Sequence, residues 1–284
     1  MSNIILIEDK EAEIDLFLNF LDNKQYPQHR NIIFLHFPEL KEKINLSDTN
    51  KENQRIIIKK FLENLKRDNK DNLIKSIAFI KNEIEKYGEK TLKILFNLMD
   101  YKQIDDKNYF LLPTIYPLCP FKNRTIFYSI YESLNGVTEH PKVLPVSAHE
   151  ISHMILFEIL EKEKIKLGQQ LLYFIKELIA PILVYQDDFK GIFKKQIVGN
   201  YNVLEIYLQS NGKTIKAFDY FLEMFVPNRS EGKNFISFLN QMVDICKNIE
   251  SAIKEKREFD NRHGILIMKD ERLLTEFREP IKLD

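Results

Sequence analysis

The stretch "LPVSAHEISHMILFEILEK" at 144–162 carries the clearest pattern in the chain. Its apolar residues recur at spacings of three and four, the period of a helix. Pro145 and Ser147 suit a helix start, so a helix is expected over about 146–164. His149 and His153 stand four residues apart on it, about 400° of rotation, and project from one face a turn apart. Two imidazoles so placed reach one tetrahedral metal ion at nitrogen–metal distances of about 2 Å. Glu150 follows the first histidine directly. It reaches past the ion to a water without entering the coordination shell, which is where a general base belongs. Ala148, Ile151, Met154, Ile155 and Phe157 crowd the pair. The helix therefore reads as largely buried, and unpaired His and Glu are costly there.

Catalytic zinc takes a third protein ligand and keeps a position open. A second apolar helix, expected over about 168–185, contains "LLYFIKELIAPILVY" (171–185), in which Glu177 is the only acidic residue. The interval from His153 leaves room for the first helix to end, a turn at Gly168 and an antiparallel return. A lone carboxylate on an apolar face is costly unless paired, and a metal would pair it. A lysine partner is the other role open to it. Glu158, Asp187, Asp188 and His140 are the rival ligands. Glu158 points off the histidine face, the two aspartates follow the helix end, and His140 lies in a loop before Pro141.

A zinc-binding HExxH helix followed by a glutamate on the next helix resembles the gluzincin metallopeptidases, the thermolysin-like branch of the zincins, over 125–185. The resemblance implies His149, His153 and Glu177 as zinc ligands and Glu150 as the base that activates water. It also implies an edge strand just before the active-site helix, where substrate backbone adds as a further strand; "RTIFYSIYES" (124–133) occupies that place. A Tyr or His from the C-terminal lobe would help stabilise the oxyanion, with Tyr185, Tyr201, Tyr220 and His263 as candidates. The chain departs from the family in its longer interval to Glu177 and in "KELIAP" (176–181), which is not the usual NExxSD. The metzincin extension is absent, since 154–159 read "MILFEI".

The bulk numbers agree with a globular chain. The 284 residues are 44% apolar with 8 Gly, enough for a sizeable core in one domain or two unequal lobes. The 42 basic residues balance 42 acidic ones, so no general attraction for nucleic acid or anionic membrane is expected. Cys119 and Cys246 are expected as reduced thiols. "MSNIILIEDKEAEIDLF" has no basic n-region, and no uncharged apolar run reaches spanning length, so a soluble cytoplasmic protein is expected. No P-loop, GxGxxG, CxxC pair or GxSxG appears. The expected partner is a peptide or protein substrate.

Periodicity predicts further helices at 10–23, 51–68, 71–87, 90–101, 214–226 and 232–257. "NIILIE" (3–8), "NIIFLHF" (31–37), 108–116 and 124–132 read as strands. Pro113 and Pro117 place 108–116 at an edge or in an irregular strand, and 133–145 reads as loop. "GNYNVLEIYLQSNGK" (199–213) fits helix or strand, and the segment from "DNRHGILIMKDERLL" is expected to hold a short strand and a last helix. The expected fold is α+β and mostly helical. A helical lobe over 1–101 would precede a zincin-like catalytic region over 102–284, with a small antiparallel sheet before the active-site helix and zinc between the lobes. A non-catalytic binding or regulatory protein on such a scaffold, or a zinc hydrolase of a non-peptide substrate, are the alternatives.

Overall fold

The computed structural model describes residues 2–22, 27–44, 51–102, 107–232 and 234–283. Residues 23 and 233, inside two of the expected helices, lie outside that set. The chain forms two compact units. Met1–Glu89 with Lys107–Ser147 make the first, and Lys90–Asp106 with Ala148–Asp284 make the second. The units therefore part at three points along the chain, not at a single boundary near 102.

The first unit begins with β1 (Ile4–Leu6), α1 (Lys10–Leu21), α2 (Pro27–His36), α3 (Pro38–Lys43) and α4 (Lys51–Asp68). Asp9 caps α1 by accepting from the Ala12 N–H at 2.9 Å. The strand expected at 31–37 is instead the end of α2 and the residue, Phe37, that leads into α3. Ile33, Phe37 and Leu40 are buried at helical spacing while Leu35 is 66% exposed, and a strand would have put 33, 35 and 37 on one face. Phe37 anchors the core, its ring within 5.8 Å of Phe17, 5.4 Å of Phe61 and 5.4 Å of Tyr131.

The helices expected at 71–87 and 90–101 are one continuous helix, α5 (Lys70–Leu98). Gly88 lies inside it, and an added Cβ there would make only ordinary contacts, with Ile84 at 3.4 Å and Ile4 at 3.8 Å. Next come β2 (Tyr109–Thr114), β3 (Phe121–Lys122) and β4 (Thr125–Ser129), in the order β1-β2-β4-β3. The sheet is mixed rather than antiparallel, since β1 and β4 both run parallel to β2 and only β3 is antiparallel.

Pro113 is accordingly in an inner strand. Tyr109 N–H donates to Asn3 and Phe110 N–H to Arg124, so alternate N–H groups face opposite neighbours. By that alternation position 113 faces β1, which has ended opposite Leu111, so no ladder bond is lost. Nor is β4 an edge. Phe121 and Lys122 pair outside it, Phe127 N–H donates to Pro120, and Ser129 N–H meets Cys119 Sγ at 3.3 Å.

A 3-10 turn at Tyr131–Asn135 leads to α6 (Val143–Lys162), which starts three residues earlier than expected. Pro145 falls in its first turn, where an N–H has no helical partner to lose. α6 is the one helix among the described residues long and apolar enough to cross a membrane, and most of it is buried in the fold.

The second unit continues with α7 (Gln169–Val184), α8 (Tyr201–Leu204), β5 (Tyr207–Ser210), β6 (Lys213–Lys216), α9 (Ala217–Ser230), α10 (Phe235–Asn248), α11 (Glu250–His263), α12 (Glu271–Phe277) and β7 (Ile281–Lys282). The segment 199–213 is thus both helix and strand, and the helix expected over 232–257 is two, meeting at Ile249. The second sheet, β6-β5-β7, is also mixed. Buried Glu205 fastens it by pairing with Lys216 at 2.6 Å and with Arg278. Both cysteines are free thiols.

Candidate metal centre

α6 and α7 supply the site. Ala148, Ile151 and Ile155 are fully buried, so α6 is a core helix over its motif and its polar residues are drawn inside with it. His149 and His153 are 4% and 1% exposed. Their rings meet edge-on with centroids 4.6 Å apart, as one-turn spacing requires. Glu177 is 8% exposed on α7 and brings a carboxylate to both. Its Oε2 lies 3.8 Å from His149 Nε2 and its Oε1 3.8 Å from His153 Nε2. Those gaps are too long for hydrogen bonds.

The three donor atoms lie within 4.8 Å of one another, and among the described residues this is the one group of three or more His, Cys, Asp or Glu so disposed. Donors around a tetrahedral zinc stand about 3.3 Å apart at bond lengths near 2 Å, so a contraction of a few tenths of an ångström to about 1.5 Å would close the set. All three belong to the second unit.

The local chemistry fits a cation. His149 Nδ1 lies 2.8 Å from the Val198 carbonyl. A carbonyl only accepts, so Nδ1 carries the proton and Nε2 is left with its lone pair toward the site. Burial disfavours the charged form of Glu177, yet the facing His149, with His153 and Lys176, holds its carboxyl well below the usual carboxylate range. Burial drives His153 well below the ordinary imidazole value, assisted by Lys176 and His149. An ionised carboxylate and a neutral imidazole are the forms that ligate. For His149 burial also opposes charge, but Glu177, Glu150 and the Val198 carbonyl outweigh it and raise its value. Half-buried Glu150 has its carboxyl pushed up to about 7, chiefly by burial, with His149 pulling the other way. That is a useful value for a group that accepts and returns a proton near neutrality.

The segment after α7 orients the first histidine. Pro181 leaves Glu177 without the usual helical N–H donor to its carbonyl. Gly199 packs against that proline, where a Cβ would lie 3.3 Å from Pro181 Cγ. The glycine so permits the close approach that puts the Val198 carbonyl on His149. Asn200 Nδ2 donates to Tyr173 Oη at 2.6 Å and pins the segment to α7.

The rival ligands have other duties. Glu158 accepts from Tyr101, Asp187 pairs with Lys195 at 3.0 Å, and Asp188 takes both Nη atoms of Arg229 at 2.7 and 2.8 Å. His140 meets Ser133 Oγ at 3.2 Å in the first unit. Of the oxyanion candidates, Tyr185 packs on Phe218, Tyr220 on Phe221 and His263 on Phe259, while the Tyr201 side chain lies outside the described residues. Sequence reasoning missed Val198, whose contribution is a backbone carbonyl and leaves no trace in residue type. The lysine partner that was the other role open to Glu177 is present too, as Lys176 on Glu177 Oε1. The signal for Lys176 was present, as a second charge in an apolar helix beside the first. No protein-family profile, curated protein or solved structure matches the chain.

Proposed function

We propose that the protein is a zinc-dependent metallopeptidase with His149, His153 and Glu177 as metal ligands and Glu150 as general base. One observation carries this reading: two histidine Nε2 atoms each face a buried Glu177 oxygen at 3.8 Å, with one donor atom from each residue inside 4.8 Å, and a second carboxylate, Glu150, follows His149 on α6. Zinc bound there supplies a Lewis acid for the scissile carbonyl and acidifies water. Glu150 takes the proton of the attacking water and returns it to the departing amine nitrogen. Val198 holds the His149 ring through Nδ1, and Glu177 supplies the negative charge that offsets part of the cation's.

The test is elemental analysis of purified wild type and His153→Ala. About one zinc per chain, lost in the variant, supports the reading. No metal in either after zinc loading ends it.

A second reading, a zinc hydrolase of a small non-peptide substrate, is favoured by one observation. The strand expected to receive substrate backbone, β4, has its outward N–H groups already occupied by Pro120 and Cys119. Turnover of a fluorescently labelled unfolded protein by the zinc-loaded chain supports the peptidase. Turnover confined to small esters or amides supports the second reading.

A further inference from the structure

Lys176 and Glu177 are adjacent on α7, and neighbouring side chains on a helix diverge by about 100°. They pair because the flexible lysine stem folds back across Tyr173, with Nζ 5.2 Å from the ring centroid. The lysine side chain is only 18% exposed, so the pair is an interior one. The oxygen it engages, Oε1, is the one that faces His153 Nε2. An ammonium in hydrogen-bond contact with a ligand oxygen lies within about 5 Å of where an ion bonded to that oxygen would sit. Two like charges that close, in a site walled by apolar helices, repel strongly.

We infer that Lys176 is a built-in competitor of the metal: its ammonium occupies Glu177 when the site is empty of metal and must leave Oε1 before that oxygen takes an ion. This deepens the metal-centre reading and rests on it. Tyr173 is the perch that makes the exchange cheap. Its hydroxyl is held by Asn200, and Arg257 already stacks on its ring with Cζ 3.7 Å from the centroid, so the ring stays in place. A displaced Lys176 keeps its cation–π contact while giving up the carboxylate. The site therefore closes its own carboxylate with an internal cation, and a metal binds only as tightly as it outcompetes that cation.

The experiment is zinc titration of the full chain against a chromophoric chelator, with thermal melting in zinc-free and zinc-loaded buffer. The proteins are wild type, Lys176→Met, Lys176→Gln and Lys176→Arg. The uncharged variants should bind zinc at least about tenfold more tightly than wild type, while Lys176→Arg, which keeps the charge, should gain nothing. Wild-type or weaker zinc affinity in folded Lys176→Met and Lys176→Gln overturns the inference. So does loss of fold in both, with or without zinc, since Lys176 would then be a structural counter-ion. Zinc binding by Lys176→Met alone, with none in wild type, supports the inference and makes the natural chain a non-catalytic member of the alternatives. No zinc binding in any of the four, all folded, fails the metal-centre reading itself.

Discussion

Glu13 and Glu177 are both buried glutamates within helices, and their surroundings differ in kind. Glu13, 1% exposed on α1, accepts the Ile115 N–H at 2.9 Å and pairs with Lys66 of α4. Its oxygens are answered by a backbone donor and a lysine, and the result ties α1 to the end of β2 and to α4. Glu177 also has a lysine, but two imidazoles face its oxygens at 3.8 Å, beyond hydrogen bonding. A buried carboxylate is thus no sign of function in itself. What distinguishes Glu177 is that, besides its lysine, two buried imidazole Nε2 atoms face its oxygens without hydrogen-bonding them, a spacing that a cation between them would close.

The widest separation between the two should come from truncation. Glu177→Ala should abolish stoichiometric zinc binding, and Glu13→Ala should leave it intact, as read by metal analysis after dialysis. Equal zinc in both variants would remove the distinction. Glu150→Gln should lower hydrolysis by roughly a thousandfold, the order contributed by a general base, while zinc stoichiometry is unchanged. Full activity in that variant would assign the proton transfer elsewhere. Glu13→Ala should lower unfolding free energy in urea by about 3 kcal/mol, because it strands a buried N–H and half of an ion pair. A change of a few tenths would show the site relaxes.

The pH dependence has a definite sign. His149 is held above the ordinary imidazole value, chiefly by the facing Glu177 against the opposing effect of burial, so below that raised value the proton competes with metal for its ring. Zinc affinity should weaken by about tenfold per pH unit below that value, measured by titration from pH 8 to 6. A flat profile would show that no proton is displaced. The smallest effect expected is that of Gly199→Ala. Its Cβ would press on Pro181 Cγ and move the Val198 carbonyl, weakening zinc about tenfold without loss of fold. An unchanged affinity would mean that the carbonyl does not hold His149.

Much of the helical architecture was legible because helix periodicity is local. The stripe Ile57, Ile58, Phe61 and Leu65 and the core face of α6 are visible in spacing alone; Ile58 and Phe61 are buried in the fold, while Ile57 and Leu65 are half-buried. The failures share one cause. Residues 31–37 are apolar at nearly every position, so their period is ambiguous, and burial of Ile33 and Phe37 around the Phe17 core selected helix. The two helices expected at 71–87 and 90–101 are one, because residues 88 and 89 continue the helical hydrogen bonding. Whether the sheet is mixed or antiparallel depends on which strands meet across more than a hundred residues, as Ile4 and Tyr109 do, and no local pattern records that.

The same division holds at the site. Sequence by itself determined that His149 and His153 share a face and that Glu150 adjoins them, because four residues of a helix span one turn. It also marked Glu177 as a charge out of place in an apolar helix. Tertiary structure alone decided that Glu177 meets both histidines, that the Val198 carbonyl meets His149 Nδ1, and that Lys176 folds onto the Glu177 carboxylate. The first two are contacts between separate segments, and the third is a side-chain conformation on α7 that adjacency alone does not fix. They follow from how α6, α7 and the segment at 198–200 pack together, which residue order along one helix does not specify.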